Sequence, residues 1–178
     1  SFTSRVSGWH GLADGGARLA ITAADPKRVY AISLTQTQGP YLMRSNDEGE
    51  SWTIQAKGSY TGFDSPEFPM DNWQGYYDLA LMASQTNADQ LITGTGSTYK
   101  SSDGGKTFKV IGGYGGSFNL HPDLQSCISI GNESWIATDG GLTYSTDFFT
   151  KVENSEARNY GINGSDFWGF DAGWHENI

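Results

Sequence analysis

The chain has 178 residues, 37% apolar and 13% aromatic, enough to build a core without invoking either disorder or a disulfide-stapled miniprotein. Eleven basic residues against twenty acidic ones give a formal charge of −9, which repels phosphate backbones and anionic lipid and argues against nucleic acid or a membrane surface as the main partner. A neutral or cationic ligand suits that balance better.

Twenty-four glycines, only five prolines, and short β-branched or aromatic runs between Gly, Asn, Asp and Ser clusters predict an all-β chain of short strands and tight turns. In chain order the predicted strands span 18–22, 28–34, 40–45 and 51–56, then 77–83, 90–94, 97–101 and 107–111, then 126–130, 134–138, 142–145 and 150–152. They form three groups of four. The longest clearly apolar stretch, 79–83, is far shorter than the ~20 residues of a membrane helix, so no membrane insertion is expected. The single cysteine, Cys127, excludes internal disulfides and a cysteine-rich zinc site. The chain opens at Ser1 without a leader and stops soon after a tryptophan-rich stretch, and it reads as a piece of a longer protein.

The groups are copies of one unit. Residues 20–26, 28–32 and 41–52 correspond, segment by segment, to 80–84, 90–94 and 98–108, and a weaker third copy runs through 127–130, 135–138 and 142–147. The insert 58–75 lengthens the first interval. The period matches a four-stranded propeller blade of roughly 40–50 residues. The expected fold is a β-propeller of four-stranded antiparallel blades at about 18–57, 77–112 and 124–153, with the start of a fourth at 166–178. Such a partial ring needs the remaining blades of the same propeller as its partner, since known propellers use roughly four to eight.

Both good copies carry Ser-x-Asp-x-Gly-x-Ser/Thr-aromatic: Ser45, Asp47, Gly49, Ser51 and Trp52, then Ser101, Asp103, Gly105, Thr107 and Phe108. Short polar side chains bond the turn amides, Gly accepts positive φ, and the aromatic packs beneath. The third copy departs, with Phe149 in place of Gly and Val152 in place of the aromatic, and an altered turn is expected there. The pattern resembles the Asp-box, or BNR repeat, of sialidases, xyloglucanase-type glycoside hydrolases and sortilin-type receptors. The resemblance implies that these boxes lie between the third and fourth strands of a blade, away from the ligand face, and that Asp47 and Asp103 are structural. Trp52, Phe108 and Trp135 are assigned to the core.

In a propeller the loops leading into the innermost strands line the mouth, here 9–18, 70–78, 119–125 and 166–175. A pyranose offers an apolar face for stacking and a rim of hydroxyls, so aromatics beside carboxylates and amides suit sugar. Trp73, Tyr76, Tyr77 and Trp174 are candidate platforms, with His121 as a further binding residue. Asp78, Asp123 and Asp171 are the candidate catalytic carboxylates, because two on one channel can divide acid and base work, and their separation sets the stereochemical outcome. The same residues also serve as turn caps or packing aromatics in the simpler reading. Asp139 is read as a turn residue. His10, His121 and His175 sit in separate segments without ligand spacing, so no metal and no cofactor is expected. The arginine triad and Phe/Tyr-Arg-Ile-Pro segment of sialidases are not visible. Asn132-Glu-Ser134 and Asn163-Gly-Ser165 match the glycosylation sequon.

The leading expectation is part of a secreted Asp-box propeller that binds a neutral polysaccharide and, given two facing carboxylates, hydrolyses it. The alternative is a non-catalytic glycan- or protein-binding module, sortilin-like or displayed at the cell surface. A third reading makes these blades a scaffold for a site elsewhere in the parent chain.

Overall fold

Short runs of Val, Ile, Leu, Thr and Tyr, each ended by a polar or glycine turn, fold into strands that pair with their neighbours in sequence. The structure is a computed structural model that describes residues 3–12, 14–35, 37–61, 65–70 and 74–162. Strands β1 (Asp14–Ile21), β2 (Val29–Thr35), β3 (Tyr41–Ser45) and β4 (Thr53–Lys57) form the first sheet. The second contains β5 (Ala80–Ala83), β6 (Leu91–Gly94), β7 (Thr98–Ser101) and β8 (Lys109–Gly112), and the third β9 (Leu124–Ile130), β10 (Glu133–Thr138), β11 (Gly141–Ser145) and β12 (Ser155–Ala157). All pairings within the sheets are antiparallel, and the described residues contain no α-helix, only a 3-10 turn at Val152–Asn154.

The first strands bring the sheets together, with β5 packed between β1 and β9. Side chains alternate across a strand, so each sheet has two faces to cover. On β2, Tyr30, Ile32 and Leu34 meet Leu79, Leu81, Ala83 and Leu91 of the second sheet region in one core. On the other face of that sheet, Ala80, Met82 and Ile92 meet Leu124 and Ile136 in a second core. The two inner strands of the middle sheet are therefore buried on both faces, which is why ALMA and LITG carry few polar residues, whereas its outermost strand opens to solvent at Lys109 and Val110. Three four-stranded sheets joined through their first strands are consistent with part of a β-propeller.

The long connections seal the seams. Phe68 and Met70, from the 58–79 connection, are fully buried in the first core, where Phe68 stacks on Phe108 at 4.4 Å. Phe118 and Leu120, from the 113–123 connection, do the same in the second core, and Phe118 meets Phe149 edge-on at 5.6 Å.

The outer two faces differ. Residues 3–12 cover part of the first sheet, where Trp9 and Leu12 pack with Ala31, Tyr41 and Met43 and the Trp52 indole donates to the Arg5 carbonyl at 3.1 Å. His10, from the first of the predicted mouth loops, stacks on Tyr41 at 4.8 Å and bonds the Ser33 hydroxyl on this face, at the end of the sheet away from the Ser-x-Asp turn. Trp135 does not join a core as expected. It lies half-buried on the open face of the third sheet beside Tyr144, because no described element covers that face.

The last strand also moves. The expected 150–152 strand is a turn, because the Thr150 and Lys151 amides donate to the Asp147 carboxylate, and pairing resumes only at Ser155 opposite Ser145. The segment 166–178, expected to begin a fourth blade, lies outside the described residues.

Candidate functional site

The two ends of the sheets carry different chemistry. At one end, between third and fourth strands, the Ser-x-Asp turns close on themselves. The Ser45 hydroxyl donates to Asp47 at 2.7 Å and accepts from the Gly49 amide at 2.8 Å, while the Ser51 amide and hydroxyl donate to the Asp47 carboxylate. Ser101, Asp103, Gly105 and Thr107 repeat those bonds at 2.8, 3.0, 3.0 and 2.7 Å. Donation from Ser51 and Ser45 holds the Asp47 carboxyl at about 2, below its ordinary 3.8. Burial opposes the same shift at Asp103, but donation from Thr107, Ser101 and Lys106 outweighs it. A carboxylate so saturated has little capacity left for proton transfer.

The third turn keeps this network despite its departures. Ser145 donates to Asp147 at 3.0 Å and accepts from the Phe149 amide at 2.9 Å, with both Phe148 and Phe149 at positive φ. The bonds come from main-chain amides and from Ser145 and Asp147, so the motif survives without its glycine.

The opposite end holds the approaches to the inner strands. Asp78 lies two residues ahead of Ala80, the partner of Gly94, and so runs beside the 95–97 turn between β6 and β7. From the other side, the Asp123 amide donates to the Gly96 carbonyl at 3.2 Å and the Leu124 amide to the Thr95 carbonyl at 2.8 Å. One turn is thus bracketed by two of the predicted carboxylates. A β-carbon added to Gly96 would stand 3.2 Å from Gln74 Oε1, 3.3 Å from the Tyr114 ring and 3.8 Å from Asp123 Oδ1. Gln74, Tyr114 and Asp123 therefore converge on a single point, although they come from two different connections.

Asp78 and Asp123 have different surroundings. Asp78 is fully buried, whereas Asp123 is half-buried with φ +68°, a conformation that Asp tolerates through its short polar side chain. Its Oδ1 is buried without a hydrogen-bond partner. Tyr76 and Tyr77 are exposed just ahead of Asp78, on a turn closed by the Tyr77 amide on the Gln74 carbonyl. His121 is exposed, with its Nδ1 3.0 Å from the Pro122 carbonyl, and it lies against Gly140, whose added β-carbon would fall 2.4 Å from His121 Cβ. Gln125 donates to Asp139 at 2.8 Å across the same turn. The polar strip thus runs from Asp78 through Asp123 to Asp139. Trp73, Trp174 and Asp171 lie outside the described residues.

Gln74 and Tyr114 were not among the residues singled out from sequence. Gln74 is a neutral amide in a connection read for its aromatics and acids. Tyr114 follows an outermost strand, where no inner-strand argument looks. No group of three or more His, Cys, Asp or Glu side chains suited to a metal occurs among the described residues. No described helix is long and apolar enough to cross a membrane.

No family model and no curated protein matches the chain. Among solved structures, a GH74 enzyme of Niastella koreensis is similar over 78% of this chain and 22% of its own, with TM-score 0.52 and 16% identity. The GH74 xyloglucanase of Xanthomonas campestris is similar over the same shares, with TM-score 0.51 and 12% identity. YCF48 bound to D1 peptide is similar over 80% of this chain and 43% of its own at TM-score 0.44 and 16% identity, too distant to carry an argument. The chain thus spans about a fifth of the length of the GH74 structures. At these identities the likeness shows the fold alone, and three four-stranded antiparallel sheets are consistent with part of a β-propeller.

Proposed function

We propose that this chain is part of a secreted Asp-box β-propeller that binds a neutral polysaccharide at the end holding Asp78 and Asp123. The observation that carries the reading is the convergence of Gln74, Tyr114 and Asp123 on Gly96, with Tyr76 and Tyr77 exposed nearby. An amide and a carboxylate address hydroxyls, while open tyrosine rings take the apolar sugar face. The acidic chain favours an uncharged polymer. Likeness in fold to GH74 xyloglucanases makes a β-linked glucan such as xyloglucan the first ligand to test.

Hydrolysis requires a second carboxylate facing Asp123 across the bound sugar. Asp123 is the better-placed acid or base, because it keeps a free oxygen and partial access. The burial of Asp78 favours a second reading, a propeller module that holds glycan without cleaving it. The experiment places Asp123→Asn and Asp78→Asn singly in the full-length protein and follows xyloglucan binding and release of reducing ends. A glycosidase loses release by 100-fold or more in Asp123→Asn while still binding. Binding without release by the unsubstituted protein establishes the module. Failure to bind any neutral polysaccharide sinks both readings.

A further inference from the structure

Each outermost strand is followed by an exposed tyrosine. Tyr60 comes three residues after β4 ends at Lys57, Tyr114 two after β8 ends at Gly112, and Tyr160 three after β12 ends at Ala157. Their relative exposures in this chain are 50%, 78% and 105%. The three strand ends pair with Tyr41, Thr98 and Thr143, on the far side of their sheets from the Ser-x-Asp turns. The tyrosines therefore sit at the same end of the sheets as Asp78 and Asp123. One exposed tyrosine is ordinary, but recurrence at one point of the repeat in three successive sheets is not an accident of packing.

Their setting identifies the ligand class. Ser59 and Thr61, Gly113 and Gly115, and Asn159 and Gly161 flank the three tyrosines in sequence, and Gln74 and Asp123 approach Tyr114 as well. A sugar ring needs one aromatic face and neighbouring hydrogen-bonding groups. Tyrosines carried on separate sheets can be engaged together only by an extended ligand.

We infer that Tyr60, Tyr114 and Tyr160 form a series of stacking platforms that carries a neutral polysaccharide chain outward across successive sheets, beyond the point where Gln74, Tyr114 and Asp123 converge. The inference rests on the polysaccharide reading above and adds to it a preference for polymer over short oligosaccharide. Each platform is a weak site, and linked weak sites multiply affinity only for a ligand long enough to reach them.

The test compares soluble xyloglucan with a single-repeat xyloglucan oligosaccharide on the unsubstituted chain, on the double variant Tyr60→Ala/Tyr160→Ala, and on Tyr76→Ala/Tyr77→Ala. The exposed tyrosines leave the fold intact on substitution, which the unfolding temperature checks. The expected result is a loss of on the order of 10- to 100-fold in polymer affinity for Tyr60→Ala/Tyr160→Ala, with oligosaccharide affinity unchanged. Unchanged polymer affinity in that variant, with loss in Tyr76→Ala/Tyr77→Ala, overturns the platform series and leaves the binding site standing. Equal losses for polymer and oligosaccharide overturn the claim that the series lies beyond the site. If the unsubstituted chain binds neither sugar, the polysaccharide reading itself falls and takes the series with it.

Discussion

Gly105 and Phe149 hold the same place in successive turns, and the reason they differ lies across the seam. A β-carbon on Gly105 would fall 2.0 Å from Leu42 Cδ2, and its φ of +86° disfavours any side chain, so Leu42 occupies the space a larger residue would need. In the next seam the residue three ahead of the turn serine is Thr98 instead of Leu42, and the buried Phe149 fills the second core in return. Phe149→Gly, which restores the motif, is therefore expected to destabilise the chain by about 2–4 kcal/mol. Loss of a buried Phe costs about 3–5 kcal/mol, and relief of positive-φ strain returns about 1 kcal/mol. Urea denaturation reads the difference, and a variant as stable as the parent would show that Phe149 does not support the core. If Thr98 faces Phe149 as Leu42 faces Gly105 in the preceding repeat, adding Thr98→Leu to Phe149→Gly recovers part of the loss.

Among the elements, the connections matter as much as the strands. The described middle of the 58–79 connection lies in the core between the first two sheets, fastened by the Phe108 amide donating to the Glu67 carbonyl at 2.7 Å and by Phe68 stacked on Phe108. It then delivers Gln74, Tyr76, Tyr77 and Asp78 to the start of β5. Phe68→Ala should cost about 3–5 kcal/mol and loosen this path. Limited proteolysis is expected to cut within 58–79 well below the unfolding temperature of the variant, but not in the unsubstituted chain. Resistance equal to the parent's would mean that the connection is held by its ends alone. The strands themselves were legible from alternation and turn residues. In the connection the sequence showed an insert, 58–75, and a mouth loop, 70–78, but not the anchors Phe68 and Met70, which have no periodicity of their own.

The molecule as a whole has one fully covered sheet between two partly covered ones. Leu19 and Ile21 are exposed on the outer face of the first sheet, and Ile128 and Ile130 on the outer face of the third. Uncovered apolar sheet faces drive association, so the 178-residue chain is expected to self-associate with rising concentration. Ile128→Lys/Ile130→Lys should shift it toward monomer by placing charge on that face. Sedimentation velocity gives the answer, and association unaffected by the two lysines would assign contact to another surface.

What the sequence settled by itself is local. The strand grouping and the Ser-x-Asp turns could be read because their bonds close within a few residues of Ser45, Ser101 and Ser145, and even the third turn, without its glycine, obeys the same short-range chemistry. The tertiary structure decided matters that depend on distant neighbours: the burial of Asp78, the open position of Trp135, the contact of His10 with Tyr41 and Ser33, and the meeting of Gln74, Tyr114 and Asp123 at Gly96. A strand pattern specifies which side chains share a face, but what covers that face comes from another sheet or a long connection, and no spacing along the chain encodes the approach.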